Sequence, residues 1–417
     1  MKEQPVFSFA CKRELKSRTL ASARAVKVAE DRTVDPALLF QRFLVVSQTG
    51  DLSLEEVLSY ELSPYPPSLF EAKNLLRKAD KAQLLDGLKN HVASCSVEAA
   101  LHYIPEVEHN VLNGGPLLHR LKWTEGKTYS SIANAYTDFT VKHYGKATVI
   151  FDGYGGGPNI KDHTHQRRSQ SRIANKVDIS EATKFAGKKD FLSNNENKQA
   201  LIHLVSTSMR DRGCHAIQAE GDADVEIVKA AVATSSYKTC LICEDTDLLV
   251  LLLHHASSNG KKIYFRSDKG GSTTVLDIKV IKQVLGNEIC FNLLFLHAFT
   301  GCDTTSRIFG IGKKSVLQKF IKNEATLNSC DKVFSSPNQD TDVIVESGSK
   351  AMVASFNGKP GGSLFVIRYS TICKNVSAAK NFVVPERFPP TTSATKHHAL
   401  RKHGLNCSRA CGSCQDG

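Results

Sequence analysis

From about residue 103, short apolar runs alternate with stretches whose apolar positions recur every three or four residues. That alternation predicts an α/β fold, a largely parallel sheet flanked by helices. The strand-like runs are 107–112, 147–151, 215–219 and 239–243, with a further strand at 262–266. The first hundred residues read instead as helical. Asp35-Pro36 supplies an N-cap and a first-turn proline, and Ser53-Leu54-Glu55-Glu56 is a capping box that opens a second helix. Three prolines within 63–68 separate it from a third predicted helix over 69–93, whose leucines fall at helical spacing. Beyond 322 the pattern weakens into Ser, Asn and Asp, with one more strand predicted at 363–370. The expected organisation is a helical region over 1–100, an α/β core over 103–322, an α/β extension over 323–384 and a flexible basic tail with a cysteine cluster over 385–417.

Composition narrows the class. With 41% hydrophobic and 23% charged residues the chain is too apolar to be wholly disordered. The formal charge of +12 favours polyanionic partners such as nucleic acid or acidic membrane surfaces, because Lys and Arg release counterions on meeting phosphates. The longest apolar run, 248–253, is far too short to cross a bilayer, so no membrane partner is expected and the location is read as intracellular. Twelve cysteines without a secretion signal imply reduced thiols, and nine of them, in apolar or mixed segments, read as core residues. Cys240 and Cys243 belong to this group, since strand alternation does not aim them at a common site.

Candidate chemistry lies at the strand ends, where ligands of open α/β sheets collect. Asp152 follows the run 147–151; Glu220, Asp222 and Asp224 follow 215–219; Glu244, Asp245 and Asp247 follow 239–243; and Asp303 follows the apolar stretch 296–300. Taken singly, each aspartate also fits as a helix N-cap or turn residue. Gathered at one sheet edge, carboxylates repel one another unless a cation neutralises them, and hard oxygen ligands suit magnesium or manganese. Two such ions can clamp a scissile phosphate without a nucleophilic side chain.

In this order the motifs resemble the flap-endonuclease superfamily and its PIN-like (Rossmann-like) core. Phe151-Asp152-Gly153 with the basic stretch from Lys161 to Arg168, Asp222-Ala223-Asp224, Glu244-Asp245-Thr246-Asp247, and Gly301-Cys302-Asp303 ahead of Gly310-Ile311-Gly312-Lys313-Lys314 carry the likeness over roughly 103–320. The helical N-terminal region and cysteine-tipped tail resemble mobile-element-derived invertebrate proteins that carry this kind of core. The resemblance implies structure-selective hydrolysis of flap or branched DNA, a nuclear location, and magnesium or manganese held by Asp152, Asp222, Asp224, Asp245, Asp247 and Asp303. It implies that Lys161 and Arg168 stabilise the transferring phosphoryl group, and that a helix–two-turn–helix element grips the duplex. The chain departs from the family at Asn113, which stands where the first acid is expected. An amide oxygen can ligate but adds no charge, leaving a binding-only protein as the alternative.

The basic and glycine-rich elements complete the expectation. Lys161 and Arg168, two helical turns apart, share a face if their segment is helical; Arg167, with His163 and His165, reads as surrounding DNA-facing surface. Gly310 and Gly312 ahead of Lys313 and Lys314 leave backbone amides at a helix start, which suits sequence-independent phosphate contact. A plain turn between two helices is the competing reading. The glycines at 153 and 155–157 do not make a dinucleotide loop, because Pro158 interrupts the turn. Cys407, Cys411 and Cys414, with His403 nearby, are possible zinc ligands, although their spacing completes no known finger.

Overall fold

The computed structural model describes residues 26–28, 32–34, 36–50, 53–61, 65–72, 75–124, 127–154, 175–179, 183–184, 187–233, 238–268, 273–303, 305–322, 324–336, 338–377 and 385–402. Two compact units emerge, one of Met1–Arg77, Ile308–Ile311 and Lys332–Gly417, the other of Lys78–Arg307 and Gly312–Asp331. The division falls differently from the sequence-based boundaries.

In the first unit β1 (Val26–Val28) pairs antiparallel with β2 (Arg32–Val34). The predicted helices follow at Pro36–Gln48 and Leu54–Ser59, and the capping box is formed, with Ser53 Oγ accepting from the Glu56 amide and Glu56 Oε2 from the Ser53 amide. The predicted helix over 69–93 is not one element. β3 (Phe70–Ala72) and β4 (Leu75–Leu76) form an antiparallel hairpin, entered through a turn in which the Leu69 and Phe70 amides donate to Pro66 O. Only Ala82–Cys95 is helical, and it belongs to the second unit. The leucine spacing had merged a strand with the buried Leu84, Leu88 and Val92 face of that helix.

The strand predicted at 363–370 is also overturned, since Leu364–Ser377 is a helix. Leu364, Arg368 and Ile372 are buried at intervals of four, a helical stripe that the apolar cluster 364–367 had masked. Arg368 is accommodated because its guanidinium donates to the Pro389 and Tyr60 carbonyls beside Glu61. The tail expected to be flexible from 385 contains the helix Thr392–Lys402, packed on Thr341–Ser355 with Thr395 and Ala399 fully buried.

The second unit holds a seven-stranded sheet of β5 (Ala100–Leu101), β6 (His109–Asn113), β7 (Thr148–Phe151), β8 (His215–Gln218), β9 (Thr239–Ile242), β10 (Ile263–Ser267) and β11 (Thr274–Asp277). Its order is β5-β11-β10-β9-β6-β7-β8. The five strands from β10 to β8 are mutually parallel, while β11 runs antiparallel to both β10 and β5. This is the α/β arrangement the sequence predicts, with two additional short strands. Every residue of β7 and β9 is buried, which explains the apolar runs Val149–Phe151 and Cys240–Ile242 that follow their opening threonines. Tyr129–Tyr144 and Asn195–Asp211 cover one face through Tyr136, Leu201 and Val205; Asp224–Ala233 and Thr246–His255 contribute Ile227, Leu248, Leu249 and Leu252 to the core.

The chain winds outward from β6 through β7 to β8, then returns to place β9 on the other side of β6. This reversal leaves the carboxyl ends of β6 and β9 side by side at a switch point, the usual position for a ligand crevice. Among the described cysteines Cys214, Cys240, Cys243, Cys290 and Cys330 are buried, Cys302 and Cys373 are half-buried, and Cys95 is exposed, contrary to its expected core placement. Burial pushes the Cys240 thiol to about 12 and holds Cys243 well above the ordinary thiol range, so neither behaves as a thiolate. No described helix is long and apolar enough to cross a membrane.

Candidate functional site

At the end of β9 the chain turns directly into the Thr246–His255 helix. Asp245 is its N-cap, Oδ1 accepting from the Asp247 amide at 3.0 Å, so the capping role that each aspartate could play singly is realised here. The same turn aims Asp247 towards Asp303, which arrives from the loop after Asn287–Phe299. That loop closes tightly because Gly301 adopts φ +109°, where a Cβ would lie 2.8 Å from the Arg307 backbone. Thr305 Oγ1 pins it by accepting from the Cys302 amide at 3.0 Å and donating to Ala298 O at 2.8 Å.

The side chain joining these acids is Lys81, at the start of Ala82–Cys95. Its Nζ lies 2.6 Å from Asp247 Oδ2, 2.7 Å from Asp303 Oδ2 and 3.8 Å from Asp245 Oδ1. His297, buried on Asn287–Phe299, donates from Nε2 to the other oxygen of Asp247 at 2.8 Å. Behind it Lys313 Nζ donates to His297 O at 2.8 Å and Thr300 Oγ1 at 2.9 Å, and approaches His297 Nδ1 at 3.4 Å.

Burial drives most of the electrostatics. It works against a charged Lys81, yet the Asp245, Asp247 and Asp303 carboxylates outweigh it and hold that ammonium above the ordinary lysine range. Burial and the adjacent Asp247 charge raise Asp245. Burial likewise opposes ionisation of Asp247, but the His297 and Lys81 bonds prevail and hold it at about 2. His297 itself is lowered, by burial first and by Lys313 and Lys81, against the pull of Asp247. It is therefore neutral near pH 7 and acts as a hydrogen-bond donor, while Lys81 supplies the countercharge. Lys313, buried beyond compensation, falls to about 7.

A second group surrounds the end of β7. Asp152 Oδ1 accepts from the Ala223 amide at 3.0 Å, and Asp222 Oδ1 from the Asp224 amide at 3.1 Å, so both order the start of Asp224–Ala233. Gly153 is a necessary glycine here, since a Cβ would stand 2.3 Å from Ala219 O. Asn113 ends β6 and caps Gly114–Arg120, its Oδ1 accepting from the Gly115 amide at 3.0 Å. Glu244 instead bonds Arg120 at 3.0 Å, within a network that includes Tyr144, Asp268 and Arg266.

Among the described residues no group of three His, Cys, Asp or Glu side chains closes into a ready cage for a metal ion. The donor set nevertheless suits a hard divalent cation. Three carboxylates face one point, and the group standing at that point is itself a cation, the Lys81 ammonium.

Lys313 is a correction. It is only 2% exposed and binds the carbonyl end of Asn287–Phe299, so it is not available to a phosphate; the partial negative charge of a helix C-terminus explains its inward turn. Lys314 is exposed, and Gly312 lies against Gln83 as the N-cap of Lys313–Ile321. Gly310 takes φ +76° in the other unit. Lys161, His163, His165, Arg167, Arg168, His403, Cys407, Cys411 and Cys414 lie outside the described residues. Sequence reasoning missed Lys81 and His297. The one available signal was His297 standing within the otherwise apolar stretch Leu293–Phe299; Lys81 carried none.

No protein-family model and no curated protein matches the chain. Among solved structures it is similar to the catalytic core of Rad2 in complex with DNA substrate (complex III), at 15% identity and TM-score 0.37, over 58% of this chain and 69% of that one. A second Rad2 core, complex II with DNA substrate, is similar at 15% identity and TM-score 0.36, over 71% and 80% of the two chains. Likeness of that extent decides nothing about chemistry, which rests on the side chains themselves.

Proposed function

We propose that this chain is a divalent-metal-dependent nuclease that hydrolyses DNA phosphodiester bonds, selective for flap or branched DNA. The observation that carries this reading is the meeting of Asp245, Asp247 and Asp303, from two separate segments, at one cation position beside the carboxyl edge of parallel strands. Carboxylates held this close destabilise a fold unless a cation repays them. Asp245, Asp247 and Asp303 would hold one ion, and Asp152, Asp222 and Asp224 are assigned to a second. Magnesium or manganese, when bound, supplies positive charge for the phosphate and its leaving oxygen.

The chain's own residues then have distinct tasks. His297 ties one oxygen of Asp247, which leaves Oδ2 turned to the cation position. Lys161 and Arg168 are assigned to the phosphate charge, and Arg167, Gly310, Gly312 and Lys314 to the DNA backbone. The excess of 54 Lys and Arg over 42 Asp and Glu supports a polyanionic partner. A nuclear location and a zinc ion on Cys407, Cys411 and Cys414 belong to the same proposal.

The test is cleavage of a labelled 5′-flap duplex, with magnesium or manganese, by the parent and by Asp245→Ala/Asp247→Ala. Cleavage by the parent alone supports the nuclease and its acid cluster together. Binding without cleavage by both favours the second reading, a nucleic-acid-binding protein without catalysis. That alternative draws on Asn113, whose uncharged amide is engaged in capping a helix.

A further inference from the structure

Lys81 comes from outside the acid motifs, 166 residues before its closest partner. Its ammonium bonds Asp247 Oδ2 and Asp303 Oδ2 at 2.6 and 2.7 Å, with Asp245 Oδ1 3.8 Å away. The other oxygen of Asp247 is taken by His297, and Asp245 Oδ1 also accepts the Asp247 amide. The oxygens best presented to a metal ion are thus the ones the lysine already holds. A divalent cation on Asp247 Oδ2 and Asp303 Oδ2 would stand at contact distance from the ammonium, where like charges exclude each other.

We propose that Lys81 is the built-in counter-cation of this centre, and that a divalent cation enters among Asp245, Asp247 and Asp303 only by displacing its ammonium. The inference rests on the reading of these acids as a metal centre. Three carboxylates against one ammonium leave an excess negative charge that still attracts a divalent ion. Without the ion, the lysine keeps the carboxylates from driving one another apart. The Lys81 side chain is 18% exposed and ends a flexible four-carbon stem, so it has a route to solvent when displaced. Metal affinity is therefore set by an exchange of cations.

The experiment is manganese titration of the full chain, following the signal of free Mn2+ by electron paramagnetic resonance, for the parent, Lys81→Met and Lys81→Gln. Either variant that retains a cooperative thermal transition should bind Mn2+ about tenfold more tightly than the parent, because its competitor is gone. Equal or weaker binding, or none by any of the three, overturns the inference. On the parent itself, acylation of Lys81 by an amine-reactive reagent, read by peptide mass spectrometry, should rise several-fold at saturating Mn2+. Unchanged labelling of Lys81 with Mn2+ bound also overturns it. Flap cleavage is scored separately. Tighter Mn2+ binding by a lysine variant with no cleavage by any form sinks the nuclease reading and leaves the exchange intact, whereas cleavage with unchanged affinity does the reverse.

Discussion

His297 donates its Nε2–H to Oδ1 of Asp247 across 2.8 Å, although the two residues stand 50 positions apart in the chain. The bond fixes the carboxylate whose other oxygen meets Lys81. Replacing His297 by alanine leaves a buried anion short of a donor and the Lys313 ammonium short of a neighbour. His297→Ala should cost about 1.5–3 kcal/mol in urea unfolding, the range for a hydrogen bond to a charged group. A loss below about 0.5 kcal/mol would show that the bond does not hold the site together.

Lys313 sets a pH dependence whose direction follows from burial. Its folded value of about 7 lies below the roughly 10.4 of an unfolded lysine. Below pH 7 both states carry the proton and the burial penalty is fully present. From about pH 7 to 10.4 the folded chain has released the proton that the unfolded chain still binds, so stability rises with pH in this window. Lys313→Met lacks this dependence. The stability of the parent minus that of the variant should climb between pH 7 and pH 9 in denaturant titrations, and a constant difference would refute the buried-lysine account.

Gly301 permits the loop that delivers Asp303. With φ +109° and the Arg307 backbone 2.8 Å from any added Cβ, Gly301→Ala meets strain from two sources. A penalty of about 1–3 kcal/mol is expected, together with weaker Mn2+ binding as Asp303 shifts. Differential scanning calorimetry and the titration described above measure both, and a variant matching the parent in each would show that the loop does not depend on this glycine.

Asn113 caps Gly114–Arg120 through a side-chain oxygen that aspartate also possesses. Asn113→Asp should therefore unfold within about 0.5 kcal/mol of the parent. If the missing charge limits metal binding, flap cleavage by this variant rises above that of the parent. Equal rates would assign the limitation elsewhere.

The strands and the acids behind them were legible because both are local. Burial on two faces favours apolar runs such as Val149–Phe151 and Cys240–Ile242, and turns into helices favour the aspartates that follow. Sequence by itself thus determined the α/β class and placed Asp152, Asp222, Asp224, Asp245, Asp247 and Asp303 at strand or helix ends. Local spacing failed where neighbouring patterns overlapped, as when the β3–β4 hairpin merged with Ala82–Cys95 and when the Leu364–Arg368–Ile372 stripe hid behind adjacent apolar residues. Only tertiary structure decided which acids meet and what neutralises them. The ion pair of Lys81 with Asp247, the bond from His297 and the burial of Lys313 join segments whose own sequences carry no mark of the partnership, since charge complementarity acts through space and leaves no period along the chain.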